Sequence, residues 1–254
     1  MERSRRRQVV CALHERISVV DTAAEEDALL DRLAAPEAPT IISFVNAHAV
    51  NLAWKDPAIG DTFLRSDLLV RDGIGVEIGL RLLGRQAGRN LNGTDLIPRL
   101  ADRFDGRRVA LLGTQDPWLA KARTVLEAQG LEIVACEHGF AEPEHYVDVV
   151  RTTDPDFVVL AMGMPKQESV ALALRSAATR PITIVNGGAI LDFLGGKVAR
   201  APSWMRRARI EWVYRLVNEP RRLASRYLVG NPMYVTRLVS TRLGLGRISG
   251  STNV

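Results

Sequence analysis

Short runs rich in β-branched and aliphatic residues alternate with stretches of helical period from residue 17 to about residue 200. No other feature limits the possible folds as strongly. The runs read as strands over residues 17–20, 40–45, 68–70, 108–112, 132–135, 157–161 and 182–185. Helical patterns lie between them, among them AAEEDALLDRLA with Asp21 as its cap and WLAKARTVLEAQ opened by Asp116 and Pro117. Strands alternating with helices of this length predict an α/β fold, a Rossmann-like, mostly parallel sheet flanked by helices.

The alternation stops near residue 202. The remainder, WMRRARIEWVYRLVNEPRRLASRYLVGNPMYVTRLVSTRL, reads as two or three helices broken near Pro220 and at Gly230-Asn231-Pro232. With 254 residues available, this divides into an α/β domain over 1–202 and an Arg-rich helical C-terminal appendage over 203–254. Charge divides the same way. Residues 197–254 carry twelve Lys and Arg against two acids, whereas the preceding part is mildly acidic. A basic tail on an acidic body implies an anionic partner: phosphate, nucleic acid or a membrane surface.

No stretch has the roughly 18 continuous apolar residues of a membrane span. The basic start, MERSRRRQVVCALHER, has too short an apolar run for a secretion signal, which places the chain on the cytoplasmic side. Cys11 and Cys136 stand in apolar contexts without metal-ligand neighbours and read as buried, reduced thiols.

In open parallel sheets, ligands bind outside the carboxyl ends of the strands. Here those ends carry Asn46-Ala47-His48, Arg71-Asp72-Gly73-Ile74-Gly75, Gly113-Thr114-Gln115-Asp116, Gly163-Met164-Pro165-Lys166-Gln167-Glu168 and Asn186-Gly187-Gly188. Glycine-bearing turns on one edge predict a cleft for a phosphorylated ligand, since bare backbone and helix N-termini favour phosphate oxygens. For Asp72 a helix-capping role is a rival, and His48 is either a structural imidazole or an acid–base group. Asp154-Pro155-Asp156 spells the D-x-D pattern of cation sites. It precedes its strand, away from the cleft, and reads as a turn. In the tail, Glu211, Arg215, Asn218, Arg222 and Arg226 recur at spacings of 3 or 4 and form one polar stripe if the helix is continuous. Guanidiniums so arranged suit bidentate phosphate recognition, and a solvated basic face is the alternative.

Several motifs in a fixed order resemble the WecG/TagA/CpsF family of bacterial glycosyltransferases: DGIG at 72–75, NGTDLIP at 92–98, GMPKQE at 163–168, NGGAILDFLGGKVARAP at 186–202, and EWVYRL, EPRRL and RYLVGNP across 211–232. The resemblance implies inverting transfer of a sugar from a UDP-sugar donor to an undecaprenyl-diphosphate-linked acceptor at the cytoplasmic face of the membrane. It implies no metal and no other cofactor, a general-base aspartate at Asp72, and phosphate-binding arginines at Arg215, Arg222 and Arg226. On this reading Asn46, His48, Gly73, Thr94, Asp95, Gly113, Gly163, Lys166, Gln167, Glu168, Asn186, Gly187 and Gly188 bind substrate, although Asp95 can instead cap a helix. Phe44 departs from the family pattern, in which many members carry threonine two residues before the asparagine. The transferred hexosyl is therefore of glucose or N-acetylmannosamine type, with acetamido transfer the less secured.

The segment YLVGNPMYVTRLVSTRLGLG, with Arg237 and Arg242, reads as a basic amphipathic helix for an anionic membrane surface. Homo-oligomerisation through the same apolar face is the alternative, and nucleic acid is not the expected partner. Two other classes stay open on fold alone: a dinucleotide-dependent oxidoreductase and a non-catalytic phosphate- or lipid-binding protein. The first lacks a G-x-G-x-x-G turn, since Val20-Asp21-Thr22-Ala23 stands there.

Overall fold

The computed structural model describes residues 2–208 and 210–249, with the side chains at 222 and 242–249 outside that description. In chain order, α1 (Glu2–Arg16) leads into β1 (Ile17–Ser18), then α2 (Ala23–Ala34), β2 (Thr40–Val45), α3 (Ala47–Lys55), α4 (Pro57–Leu64) and β3 (Leu68–Arg71). Next come α5 (Ile74–Leu82), α6 (Gly93–Ala101), β4 (Arg108–Gly113), α7 (Trp118–Glu127), β5 (Glu132–Glu137), α8 (Pro143–Thr153) and β6 (Phe157–Ala161). The described chain continues through α9 (Lys166–Ala177), β7 (Thr183–Asn186), α10 (Ile190–Leu194), α11 (Ser203–Arg207), α12 (Glu211–Asn218), α13 (Pro220–Ala224) and α14 (Gly230–Ser249).

The seven strands form one sheet in the order β1-β3-β2-β7-β6-β4-β5, and every neighbouring pair is parallel. This is the predicted α/β, Rossmann-like fold. Strand periodicity sorts β4 between two cores. Val109 and Leu111 face α6 and α7, while Ala110 and Leu112 face α8 and α9. Helices therefore cover both faces, which is why the strands read as continuous apolar runs.

Local departures have local causes. β1 ends at Ser18 rather than Val20, because the Val20 carbonyl accepts the Arg89 N–H at 2.7 Å instead of joining a ladder. Thr22, not Asp21, caps α2: its Oγ1 accepts from the Glu25 N–H at 3.1 Å, and Glu25 reaches back to the Asp21 N–H at 2.8 Å. Cys11 and Cys136 are free but only half-buried, the latter on edge strand β5. Asp154 and Asp156 are paired with Arg180 at 2.6 and 2.8 Å, at the amino end of β6.

The tail differs most from expectation. α13 starts at Pro220 as predicted, since the first turn of a helix does not need that N–H. Glu219 (φ −132°, ψ 57°) separates it from α12, so the five-residue stripe does not lie on one continuous helix. No break occurs at Gly230-Asn231-Pro232. A π-helical turn over Ser225–Val229 runs directly into α14, whose first turn tolerates Pro232. α14 then packs against α1, α3 and α5, with Tyr234 and Leu238 fully buried among Val10, Leu13, Val50 and Leu80. Tyr234 Oη lies 2.9 Å from His14 Nε2, and a Cβ on Gly79 would fall 1.8 Å from that oxygen. Among the described residues no helix is long and apolar enough to cross a membrane.

Candidate active site

The carboxyl ends of β2, β3, β4, β6 and β7 open onto one cavity of about 930 Å³. Asn46, Asp72, Thr114, Met162 and Gly187 line it immediately beyond their strands, Gly163 follows one residue later, and Asn186 lines it from the last position of β7. A second cavity of about 370 Å³ adjoins it. Six residues line both: Asn46, His48, Asp72, Thr94, Arg215 and Arg226.

The Asp72 turn is built from buried contacts. The Asp72 N–H donates to the Val45 carbonyl at 2.9 Å, continuing the β2–β3 ladder to the rim. Arg71, before it, is buried and donates to the Ala87 carbonyl at 2.9 Å, the Gly88 carbonyl at 2.8 Å and Glu77 Oε2 at 3.0 Å. Gly73, after it, has φ +86°, a conformation that side chains resist, and its N–H donates to Asn90 Oδ1 at 2.9 Å. Gly73, not Asp72, occupies the cap position of α5 and makes no side-chain cap. The Asp72 carboxylate accepts one hydrogen bond among the described residues, from Asn46 Nδ2 at 3.2 Å. Asn46 Oδ1 is taken by the His48 and Ala49 N–H groups at the start of α3, which orients the amide toward Asp72.

Around this pair, His48 is held neutral down to about 4 by burial and then by the Arg226 charge. Arg215 crosses over the Phe193 ring at 5.3 Å, and its buried Nε has no hydrogen-bond partner among the described residues. Asn186 Nδ2 donates to Ser43 Oγ at 2.7 Å, and its buried Oδ1 has no partner among the described residues. Such orphaned polar atoms are costly in a finished core and suit a cavity that receives a polar ligand. Gln167 Oε1 accepts from the Gly188 N–H at 3.0 Å, tying the β6 turn to the β7 turn.

The predicted site residues separate into three placements. Asn46, His48, Asp72, Thr94, Gly163, Gln167, Asn186, Gly187, Gly188, Arg215 and Arg226 line the larger cavity, and Gly73 and Asp95 line only the smaller. Gly113, Lys166 and Glu168 line neither. Gly113 is pressed against the Ala161 backbone, where a Cβ would lie 2.3 Å from the carbonyl oxygen. Lys166 donates to the Gly139 and Ala141 carbonyls at 3.1 and 2.7 Å. Glu168 is buried against Gln167. The Arg222 side chain lies outside the described residues. Burial raises the Asp95 carboxyl, but the Asn92 hydrogen bond and the Arg200 ion pair outweigh it and bring it below its ordinary value.

The family model described as glycosyl transferase WecG/TagA/CpsF matches residues 10–247. The chain belongs to this family. It is similar to the N-acetylglucosaminyldiphosphoundecaprenol N-acetyl-beta-D-mannosaminyltransferase of Bacillus spizizenii, with 30% identity covering 74% of each chain. The protein of the same name from Bacillus subtilis is 29% identical over 71% of this chain and 72% of its own. In this WecG/TagA/CpsF glycosyltransferase, several cavity residues carried no recognisable signal in the sequence. Arg6, Asn51, Trp54, Lys55 and Phe140 come from α1, α3 and the turn after β5, whereas Arg237 on α14 belongs to the basic segment that the sequence assigns to an anionic membrane surface. Only the i, i+3, i+7 spacing of His48, Asn51 and Lys55 on α3 pointed to a shared face.

Proposed function

We propose that the chain is an inverting, metal-independent transferase that moves a hexosyl group of glucose or N-acetylmannosamine type from a UDP-sugar to an undecaprenyl-diphosphate-linked saccharide. Its setting is exopolysaccharide or cell-surface polymer synthesis at the cytoplasmic face of the plasma membrane. One observation carries the reading: Asp72 stands where two cavities meet, with a carboxylate that the protein barely uses for itself. A hexose ring can occupy either side of it. The relatives' acceptor and sugar names support the same substrate class.

In the proposed step, a hydroxyl oxygen of the acceptor sugar attacks the anomeric carbon of the donor. Its proton passes to Asp72 as the bond to the UDP β-phosphate oxygen breaks on the opposite face. Asn46 holds the carboxylate in line, and general-base help of this kind contributes about 10²–10⁴-fold. The nucleotide lies over the glycine turns after β6 and β7, and Arg215 and Arg226 stabilise the charge that develops on the departing diphosphate. Phe44 forms part of the cavity wall and offers the sugar an apolar surface in place of a hydroxyl.

Residues 203–254 act in this reading as the appendage that closes the site and meets the membrane. Val217, Leu228, Val229, Met233, Val235 and Val239 are exposed on it, which supports lipid contact. A panel of UDP-sugars offered with short lipid-diphosphate acceptors in EDTA tests the function, with product anomer read by NMR. Transfer with inverted configuration is expected. Retention of configuration, or strict dependence on added Mg²⁺ or Mn²⁺, discards the scheme.

A further inference from the structure

α3 turns His48, Asn51, Leu52 and Lys55 toward the larger cavity. They follow one helical stripe, which at 1.5 Å per residue runs about 10 Å outward from the Asp72 end. Two other helices complete the outer half of this track. α1 contributes Arg6 and α14 contributes Arg237, both lining the same cavity.

The arrangement is built rather than incidental. Asn51 Nδ2 donates to the Gly230 carbonyl at 2.7 Å, and its Oδ1 accepts from Arg237 Nη1, so Asn51 acts as a buttress between α3 and α14. The Arg237 guanidinium lies 5.7 Å from the centre of the Trp54 ring. Burial, and then the Arg6 charge, lower the Arg237 pKa below its usual range. Arg6 pairs with the exposed Glu2 at 2.5 Å, yet its Nε is buried without a hydrogen-bond partner among the described residues. Among the described residues neither Arg237 nor Lys55 has a carboxylate partner. Three helices thus bring like charges into one end of a cavity, an arrangement that an anion stabilises. Val229 and Met233, both exposed, form an apolar lip of the same cavity, so the fitting anion is one that carries a hydrocarbon chain.

We propose that Arg6, Lys55 and Arg237 form a subsite for the diphosphate of the polyprenyl-linked acceptor, with the lipid chain leaving over Val229 and Met233. The proposal rests on the transferase reading and deepens it: α3 is the track that brings the acceptor sugar to Asp72, while Arg215 and Arg226 serve the departing nucleotide.

Cosedimentation of the full chain with phosphatidylcholine vesicles tests this, the vesicles doped either with undecaprenyl diphosphate or with phosphatidylglycerol at equal charge. The Arg6→Ala/Arg237→Gln variant, in which Gln keeps a donor for Asn51, is expected to bind undecaprenyl-diphosphate vesicles about tenfold more weakly or worse. Arg5→Ala removes the same charge from α1 but lies on Asp61 outside the cavity, and should bind like wild type. Should thermal melts show the double variant misfolded, Lys55→Ala on the exposed end of α3 carries the same test with a smaller expected loss. The subsite is overturned by any of three results: wild-type-like binding of the folded variants, equal loss on phosphatidylglycerol vesicles, or equal loss in Arg5→Ala. Because no sugar donor is present, failure here is separable from failure to observe transfer.

Discussion

The turn that carries Asp72 and the segment that carries Arg215 and Arg226 reach the same cavity but are held there differently. The turn follows an interior strand, β3, and is fixed by a buried Arg71–Glu77 ion pair, a positive-φ glycine and the Asn46 cap. The segment has no buried side chain in α11, α12 or the π-helical turn, and it is anchored through Leu223, Tyr234 and Leu238. One region positions a carboxylate through hydrogen bonds made by the residues on either side of it. The other brings cations over the cleft from a few apolar anchors. Chemistry that depends on a single oxygen needs the first kind of support, and charge stabilisation tolerates the second.

This contrast can be broken or sharpened by substitution. The largest effect is expected for Asp72→Asn, with turnover falling by about 10²–10⁴-fold while UDP affinity and the melting temperature stay near wild type. Steady-state transfer with isothermal titration checks it, and near-normal turnover removes Asp72 from the base role. Glu77→Ala should destabilise by about 3–5 kcal/mol, since it strands a buried guanidinium under the turn. Urea titration measures this, and a loss below about 1 kcal/mol would deny the turn its rigid support. Arg215→Ala should lower kcat by about 10–100-fold in steady-state transfer with little change in stability, as α12 has no buried residue and a side chain lying over Phe193 can be truncated without disturbing a core.

Catalysis is least touched at Glu168, behind the rim, whose carboxyl burial pushes up to about 7. Between its ordinary value near 4.5 and about 7 the folded chain keeps a proton that the unfolded chain has released, so wild-type stability falls as pH rises through that window. Glu168→Gln should flatten the decline. It gains about 3 kcal/mol near pH 8 and nothing near pH 4, read from denaturation at both values.

Some of this was legible in the residues. Strand ends at Asn46, Asp72, Gly163 and Asn186 are legible on one edge because short apolar runs and glycine punctuation are local signals. Lys166 and Glu168, adjacent in the same motif, were equally plausible ligands, and the fold spends one on two carbonyls and buries the other. The stripe from Glu211 to Arg226 assumed a continuous helix that Glu219 interrupts, yet Arg215 and Arg226 still converge because α13 and the π-helical turn redirect the chain.

By itself the sequence determined the α/β class, the strand order in time, the rim acid and the basic character of the tail, all of which follow from neighbouring residues. Strand order in space, the meeting of two cavities at Asp72, and the approach of Arg6 to Arg237 were decided only by tertiary structure. The physical reason is distance along the chain. Arg6 and Arg237 share no local pattern, and only the burial of Tyr234 and Leu238 against α1, α3 and α5 brings their helices together.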